Sequence, residues 1–218
     1  MKAEFDYQWK NLPSPLTEYT EQRVHEFLKF TGLYRGFLKG KKALDAGCGN
    51  GRYTFAMQWL GAHVTSIDVS PEAVKQCKEN VNLETKQMSI FDLEGGEYDF
   101  ILCWGVLHHT PDPRLGFGIL KSNLCKGGTL HLMLYHNKTQ KRYRKHRDTF
   151  KTLDEEGKLE LCRKLAKKPE DIHGWYDALN PEFNHSYETE EIVKWYKDTG
   201  FKNIKVMNTS NININGQL

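Results

Sequence analysis

The chain has no apolar run near the roughly 18 residues that a spanning helix needs, and its first 30 residues lack the apolar centre of a signal peptide. Neither a membrane partner nor export is expected. Cysteine is sparse: Cys48, Cys77, Cys103, Cys125 and Cys162 are scattered without CxxC or finger spacing. That pattern argues against a disulfide scaffold or a structural zinc site and for reduced thiols in a cytoplasmic protein. Internal repeats and low-complexity tracts are absent too. No sign of charge dominates, since 31 Lys and Arg against 28 Asp and Glu leave a net +3, too little to name a nucleic acid as partner. With 39% hydrophobic and 27% charged residues, the composition is that of a soluble globular protein, and 218 residues suit one domain.

What is present is an alternation. Short apolar runs and helical patterns succeed one another from Lys42 onward, the signature of βα units over a parallel sheet. Strands are expected over Lys42 to Ala46, His63 to Val69, Thr85 to Ile90, Tyr98 to Trp104, Thr129 to Tyr135 and Lys202 to Asn208. Helices are expected over Arg52 to Leu60, from Ser70-Pro71-Glu72 to about Val81, over Pro113 to Leu124 and over Glu188 to Thr199. The sequence YDFILCW reads as a central strand buried on both faces. Residues 1–40 read as an aromatic-rich N-terminal arm with one amphipathic helix near Thr20 to Phe30, and about 137–186 as a helical insertion within the 41–218 domain.

The most specific feature is Asp45-Ala46-Gly47-Cys48-Gly49-Asn50-Gly51-Arg52, an acidic residue followed by alternate glycines between a strand and a helix. Glycines suit a sharp turn whose backbone meets a ligand with no Cβ in the way. A dinucleotide fingerprint would place its third glycine at position 52, which is Arg52. An acidic neighbour fits a cofactor with positive groups better than a pyrophosphate. Asp68, 23 residues after Asp45 at the end of the second strand and followed by Val69, is placed to accept ribose hydroxyls. Phe91 and Asp92 follow the third strand, where a ring and a carboxylate can meet an adenine.

These motifs resemble those of the class I S-adenosylmethionine-dependent methyltransferases, in particular the branch of the ubiquinone and menaquinone biosynthesis enzymes (methyltransferase type 11). The resemblance is close over about residues 40–136, where ALDAGCGNGRYT, SIDVS, FDL and YDFILCWGVLHHTPDP correspond to the successive motifs. It implies a Rossmann-like, doubly wound α/β fold with a seven-stranded, mostly parallel sheet whose strand seven is antiparallel. It also implies S-adenosyl-L-methionine as cofactor, held by Asp45, Gly47, Cys48, Gly49, Asp68, Val69, Phe91, Asp92 and Trp104, with Cys103 and Trp104 at its methionine end. In some relatives a Glu-x-x-Glu-His segment holds a metal; Gly105 and His108 replace both glutamates here, so no metal is expected, and His108, His109 and His185 form the one histidine set left for it.

Methyl transfer from a sulfonium needs positioning and, for a hydroxyl or carbon acid, a base. His109, just past strand four, and His185, in the aromatic stretch Trp175 to Tyr187, are the catalytic candidates; each is also read as a packing or turn-capping residue. Tyr7, Gln8 and Trp9 are placed to close over the cofactor, or simply to dock the arm. The expected activity is methylation of a small molecule at an O, N or C atom. Two alternatives stand beside it. One is an RNA methyltransferase using Lys138 to Arg147, where six of ten residues are Lys or Arg; the other is a cofactor-binding module without turnover.

Overall fold

The computed structural model describes residues 2–12, 19–169, 171–207 and 210–218. Two helices come first, α1 (Lys2–Asn11) and α2 (Glu21–Thr31), and then the alternation begins. It runs β1 (Lys42–Ala46), α3 (Arg52–Trp59), β2 (His63–Asp68), α4 (Pro71–Val81), β3 (Thr85–Gln87), β4 (Tyr98–Trp104), α5 (Pro113–Ser122) and β5 (Leu124–Leu134). Three helices interrupt it: α6 (Asn137–Lys151), α7 (Glu155–Leu165) and α8 (Asp171–Leu179). The chain ends with α9 (Thr189–Asp198), β6 (Lys202–Met207) and β7 (Ile212–Gln217).

The strands join in one seven-stranded sheet of order β3-β2-β1-β4-β5-β7-β6, parallel except for β7, which is antiparallel to both neighbours. The architecture is the expected doubly wound one. β4 shows why it needs helices on both faces. Ile101 and Cys103 join one apolar cluster with Phe117, Leu120, Ile192 and Tyr196, while Phe100 and Leu102 join another with Val24, Phe27, Tyr53 and Met57. Helices α5 and α9 therefore cover one face and α2 and α3 the other. Local chemistry sets the helix starts: the Ser70 hydroxyl accepts from the Ala73 amide at 3.1 Å, and the Asp112 carboxylate from Leu115 at 2.9 Å, each followed by a proline.

Three boundaries depart from the sequence reading. β3 stops at Gln87, because the Ser89 hydroxyl accepts from the Phe91 amide at 3.2 Å and bends Ile90–Asp92 into a 3₁₀ turn. The helix after β4 ends at Ser122, and β5 starts at Leu124, before Lys126-Gly127-Gly128. Those glycines lie inside the strand, where Gly127 donates to the Leu218 carbonyl and Leu218 to that of Gly128, each at 2.9 Å. β6 is also not the last strand, since β7 inserts between it and β5; Asn208, the expected end of β6, lies outside the described residues. In β7 the buried asparagines have partners: Asn215 Oδ1 lies 2.6 Å from His131 Nδ1, and its amide donates to the Thr31 carbonyl.

The region between β5 and α9 has a small core of its own, in which Tyr143, Phe150, Cys162, Tyr176 and Leu179 pack with Leu12 from beyond the end of α1. Its stem is tied to the sheet at His136 and Tyr187, where Asn137 donates to the Tyr187 carbonyl and Tyr187 to that of Tyr135, each at 3.0 Å.

Phe117 is fully buried and meets Trp195, Tyr196 and Phe201 with ring centroids 5.1–5.9 Å away, so it joins α5 to α9. Phe117→Ala is expected to cost about 3–5 kcal/mol of unfolding free energy, measured by urea denaturation. A loss below about 1 kcal/mol would show that this face does not depend on the ring.

Candidate active site

β1 has β2 on one side and β4 on the other, so the direction of winding reverses beside it and a crevice opens at the carboxyl ends of these strands. A cavity of about 510 Å³ lies there, lined by Asp45, Gly47, Cys48, Gly49, Asp68, Val69, Phe91, Trp104 and His109 among the residues expected to form a site. Asp92 and His185 are not in its wall: Asp92 is exposed on the 3₁₀ turn, while His185 Nε2 lies 3.1 Å from the Thr110 carbonyl and its amide donates to that of His108.

The Gly-rich turn is built from β2. Gly47 and Cys48 donate their amides to the Ile67 carbonyl at 2.8 and 3.0 Å, which folds the turn back over the strand end. Gly47 is the constrained position, with φ +90° and a virtual Cβ only 2.2 Å from a Val106 methyl, so no larger residue fits.

Two carboxylates face this turn and neither has a Lys or Arg nitrogen within ion-pair distance among the described residues. Asp68 accepts from the Gly49 amide through Oδ2 and from Ser70 through Oδ1, both at 2.9 Å. Asp45 accepts from the Thr54 hydroxyl at 2.7 Å, which in turn lies 3.0 Å from Ser66. Burial pushes the Asp45 carboxyl up to about 7, with the Asp68 charge adding to it and Thr54 opposing it; burial raises Asp68 as well, against its backbone donors. Buried, unneutralised carboxylates beside a Cβ-free turn fit a ligand that brings positive charge and hydroxyl donors.

At the other end of the cavity a second polar cluster centres on Asp177 of α8. Tyr135 donates its hydroxyl to Oδ2 at 2.5 Å, Gln8 of α1 donates to Oδ1 at 3.2 Å, and His109 Nε2 stands 3.5 Å from Oδ2. Burial alone would raise this carboxyl, but His109 beside it and the Tyr135 hydroxyl that donates to it hold it well below the usual carboxylate range. His109 Nδ1 lies 3.1 Å from the Phe183 carbonyl, so both ring nitrogens face protein acceptors. His108 is fully buried behind it, stacked on Tyr135 at 3.8 Å and held neutral by burial.

The arm forms the roof. Phe5 tilts against His109 at 5.6 Å, Asp6 accepts from Ser70, and Trp9 lies over Gly49 and against His173. Gln76 of α4 holds α1 from below by donating to the Trp9 carbonyl at 2.7 Å. Tyr7 instead stacks on Tyr176 in the inserted core.

Sequence reasoning did not single out His173 or Tyr135, and it read Asp177 only as one of the pocket-lining residues of the stretch Trp175 to Tyr187. The signal for His173 and Asp177 is their i, i+4 spacing on one face of α8. The basic run also resolves. Arg147 donates to the carbonyls of Ala178 and Pro181 at 2.9 and 2.6 Å, Arg144 to Asn137 and Ser186, and Arg142 stacks over Tyr143; Lys138, Lys141 and Lys145 remain exposed.

Residues 16–206 match the family described as "Methyltransferase domain". The ubiquinone biosynthesis O-methyltransferase of Xanthomonas campestris pv. campestris is 39% identical over 103 residues, 44% of this chain and 43% of that protein. The enzyme of the same description from Xanthomonas euvesicatoria is 30% identical over 173 residues, 76% of this chain and 64% of its own. The chain thus spans less than half the length of the first of these relatives and just under two thirds of the second. Among solved structures, magnesium protoporphyrin IX methyltransferase from Synechocystis with bound S-adenosylmethionine superposes with a TM-score of 0.60 at 16% identity, over 99% of this chain and 89% of that one. A Burkholderia thailandensis 1,6-didemethyltoxoflavin N1-methyltransferase gives 0.56 at 14% identity, over 99% and 83%. Both are likenesses of fold.

Asp45 has a folded-state pKa raised from 3.8 to about 7, so its protonated form favours folding: this share of stability is complete below about pH 4 and is lost as pH rises through about 7. Asp45→Asn removes the titration. In the ligand-free protein, the melting temperature of Asp45→Asn minus that of the parent is expected to widen by on the order of 5 °C between pH 5 and pH 8. A gap independent of pH would mean that Asp45 ionises like an exposed carboxylate.

Proposed function

Because the chain belongs to the methyltransferase-domain family, within the class I S-adenosylmethionine-dependent methyltransferases, we propose that it methylates a hydroxyl on a small, ring-bearing molecule. The observation that carries this reading is the single cavity that holds the two unneutralised carboxylates at one end and the Asp177 cluster at the other. S-adenosylmethionine, when bound, supplies a methyl group already activated on a positive sulfur. Asp45 receives its cationic end, Asp68 accepts ribose hydroxyls with the lone pairs its amide donors leave, and Val69 and Phe91 wall the base. Trp104, fixed by Tyr53 at 4.9 Å and by His131 stacked at 5.7 Å, lies at the methionine end.

The acceptor half is walled by Tyr135, Tyr143 and Trp175, apolar rings with polar edges, which suits a planar molecule. The curated relatives named as O-methyltransferases point to an oxygen as the methylated atom. His109, with its nitrogens directed to Asp177 and the Phe183 carbonyl, acts as a positioning residue that fixes this wall; His185 acts one layer further out, holding the Thr110 turn. The roof formed by α1 keeps water from the transferred group.

Asp68→Ala is expected to weaken S-adenosylmethionine binding by about 1.5–3 kcal/mol, roughly tenfold to a hundredfold in Kd, by isothermal titration. Wild-type protein should be stabilised against heat by S-adenosylmethionine and S-adenosylhomocysteine but not by NAD. Stabilisation by NAD alone would overturn the reading.

A further inference from the structure

His173 is a buried histidine with an unused nitrogen in the wall of the cavity. It is 8% exposed, and its Nε2 has no hydrogen-bond partner. An imidazole nitrogen left unpaired in the interior is costly, and native proteins rarely keep one without a use. Its place is specific: it stands one helical turn before Asp177 on α8, and the Trp9 ring tilts against it at 5.3 Å. Burial holds its pKa below the ordinary histidine range, against the pull of Asp177, so the ring is neutral and carries a lone pair. His109, which sequence order favours, also lacks a hydrogen bond at Nε2, but that nitrogen stands 3.5 Å from the Asp177 carboxylate and Nδ1 lies 3.1 Å from the Phe183 carbonyl, so both its nitrogens already face protein acceptors.

We propose that His173 is the catalytic residue that receives the acceptor hydroxyl, hydrogen-bonding it through the ring and taking its proton. This rests on the methyltransferase reading above. As the oxygen–carbon bond forms, the hydroxyl proton passes to His173, the carbon–sulfur electron pair stays on a now neutral sulfur, and the proton later leaves to solvent. Asp177, one turn away, stabilises the imidazolium so formed, while Tyr135 and His109 hold that carboxylate in place.

The test uses the full chain saturated with S-adenosylhomocysteine and 4-nitrophenol as the phenolic probe. Wild-type protein, His173→Phe and His109→Gln are compared by equilibrium binding of the probe and, separately, of S-adenosylmethionine. His173→Phe is expected to bind the probe about fivefold to tenfold more weakly than wild type and His109→Gln to lose less than that, with cofactor affinity within threefold in both. In wild-type protein carrying ¹³C at histidine Cε1, the His173 resonance should move on probe addition while that of His109 stays. With any phenol that the wild type methylates, His173→Phe should lower turnover by about a hundredfold or more. A probe that fails to bind wild-type protein, an unchanged His173 resonance, or a loss confined to His109→Gln would overturn the proposal. The wild-type resonance experiment decides it even if His173→Phe does not fold. Normal cofactor binding alongside any of these results leaves the methyltransferase reading standing, whereas absent cofactor binding removes that reading itself.

Discussion

The site depends on an electrostatic deficit: Asp45 and Asp68 are buried side by side beneath a glycine turn, and no Lys or Arg among the described residues lies within ion-pair distance of either. Burying carboxylates without a counter-charge is unfavourable, and the surroundings show how the fold contains that cost. Amides of Gly49 and Ser70 donate to Asp68, and the Thr54 hydroxyl donates to Asp45. These dipoles offset part of the desolvation, yet the Asp45 pKa still rises to about 7. What remains is negative potential aimed into a cavity, and a ligand bearing positive charge is what would complete it. Gly47 follows from the same need, since the turn must pass between Val106 and the cavity with no Cβ to spare.

The far end of the cavity is assembled from three parts of the chain that meet at one carboxylate. Asp177 comes from the inserted helices, Tyr135 from just beyond β5, and Gln8 from the N-terminal helix, with His109 alongside. None of these parts makes the cluster alone. The apolar contacts are shared in the same way, because Leu12 and Tyr7 pack into the small core of α6, α7 and α8. The arm and the insertion therefore order each other, and this end of the cavity is complete only when both are seated.

How much of this was legible depended on whether the cause was local. The glycine turn, Asp68 at its strand end and the Pro71 and Pro113 helix starts are local, and the structure shows them where the sequence pattern put them. β7, though implied by the resemblance, was not located, because the asparagines of Ile212–Gln217 lack an apolar strand pattern; the burial of Asn215 is made possible by His131 and the Thr31 carbonyl, far away in sequence. The extent of β5 failed for a related reason. Gly127 and Gly128 look like a turn, and only pairing with Leu218 keeps them extended. Asp92 was expected at the adenine on the strength of a motif, but the Ser89 turn leaves it exposed and sends Phe91 into the wall instead. His173 and Asp177 carried a signal at helical spacing, hidden because the flanking aromatics obscured the period of α8.

The basic run of α6 shows why a charged segment cannot be assigned a partner from composition. Arg147 has folded inward, its guanidinium spanning the carbonyls of Ala178 and Pro181 at the end of α8. A forked donor suits that task better than a lysine would, since two bonds fix direction as well as distance. Arg144 ties the start of α6 to Ser186, near the returning chain. These two residues thus clamp both ends of the loop that follows α8, and Asn184 within the loop donates to the Ala178 carbonyl at 2.7 Å. The helix so clamped is the one that carries His173 and Asp177 into the cavity. Charge that looks available for a polyanion is in this part of the run spent on the orientation of α8, and through it on the geometry of the far end of the cavity.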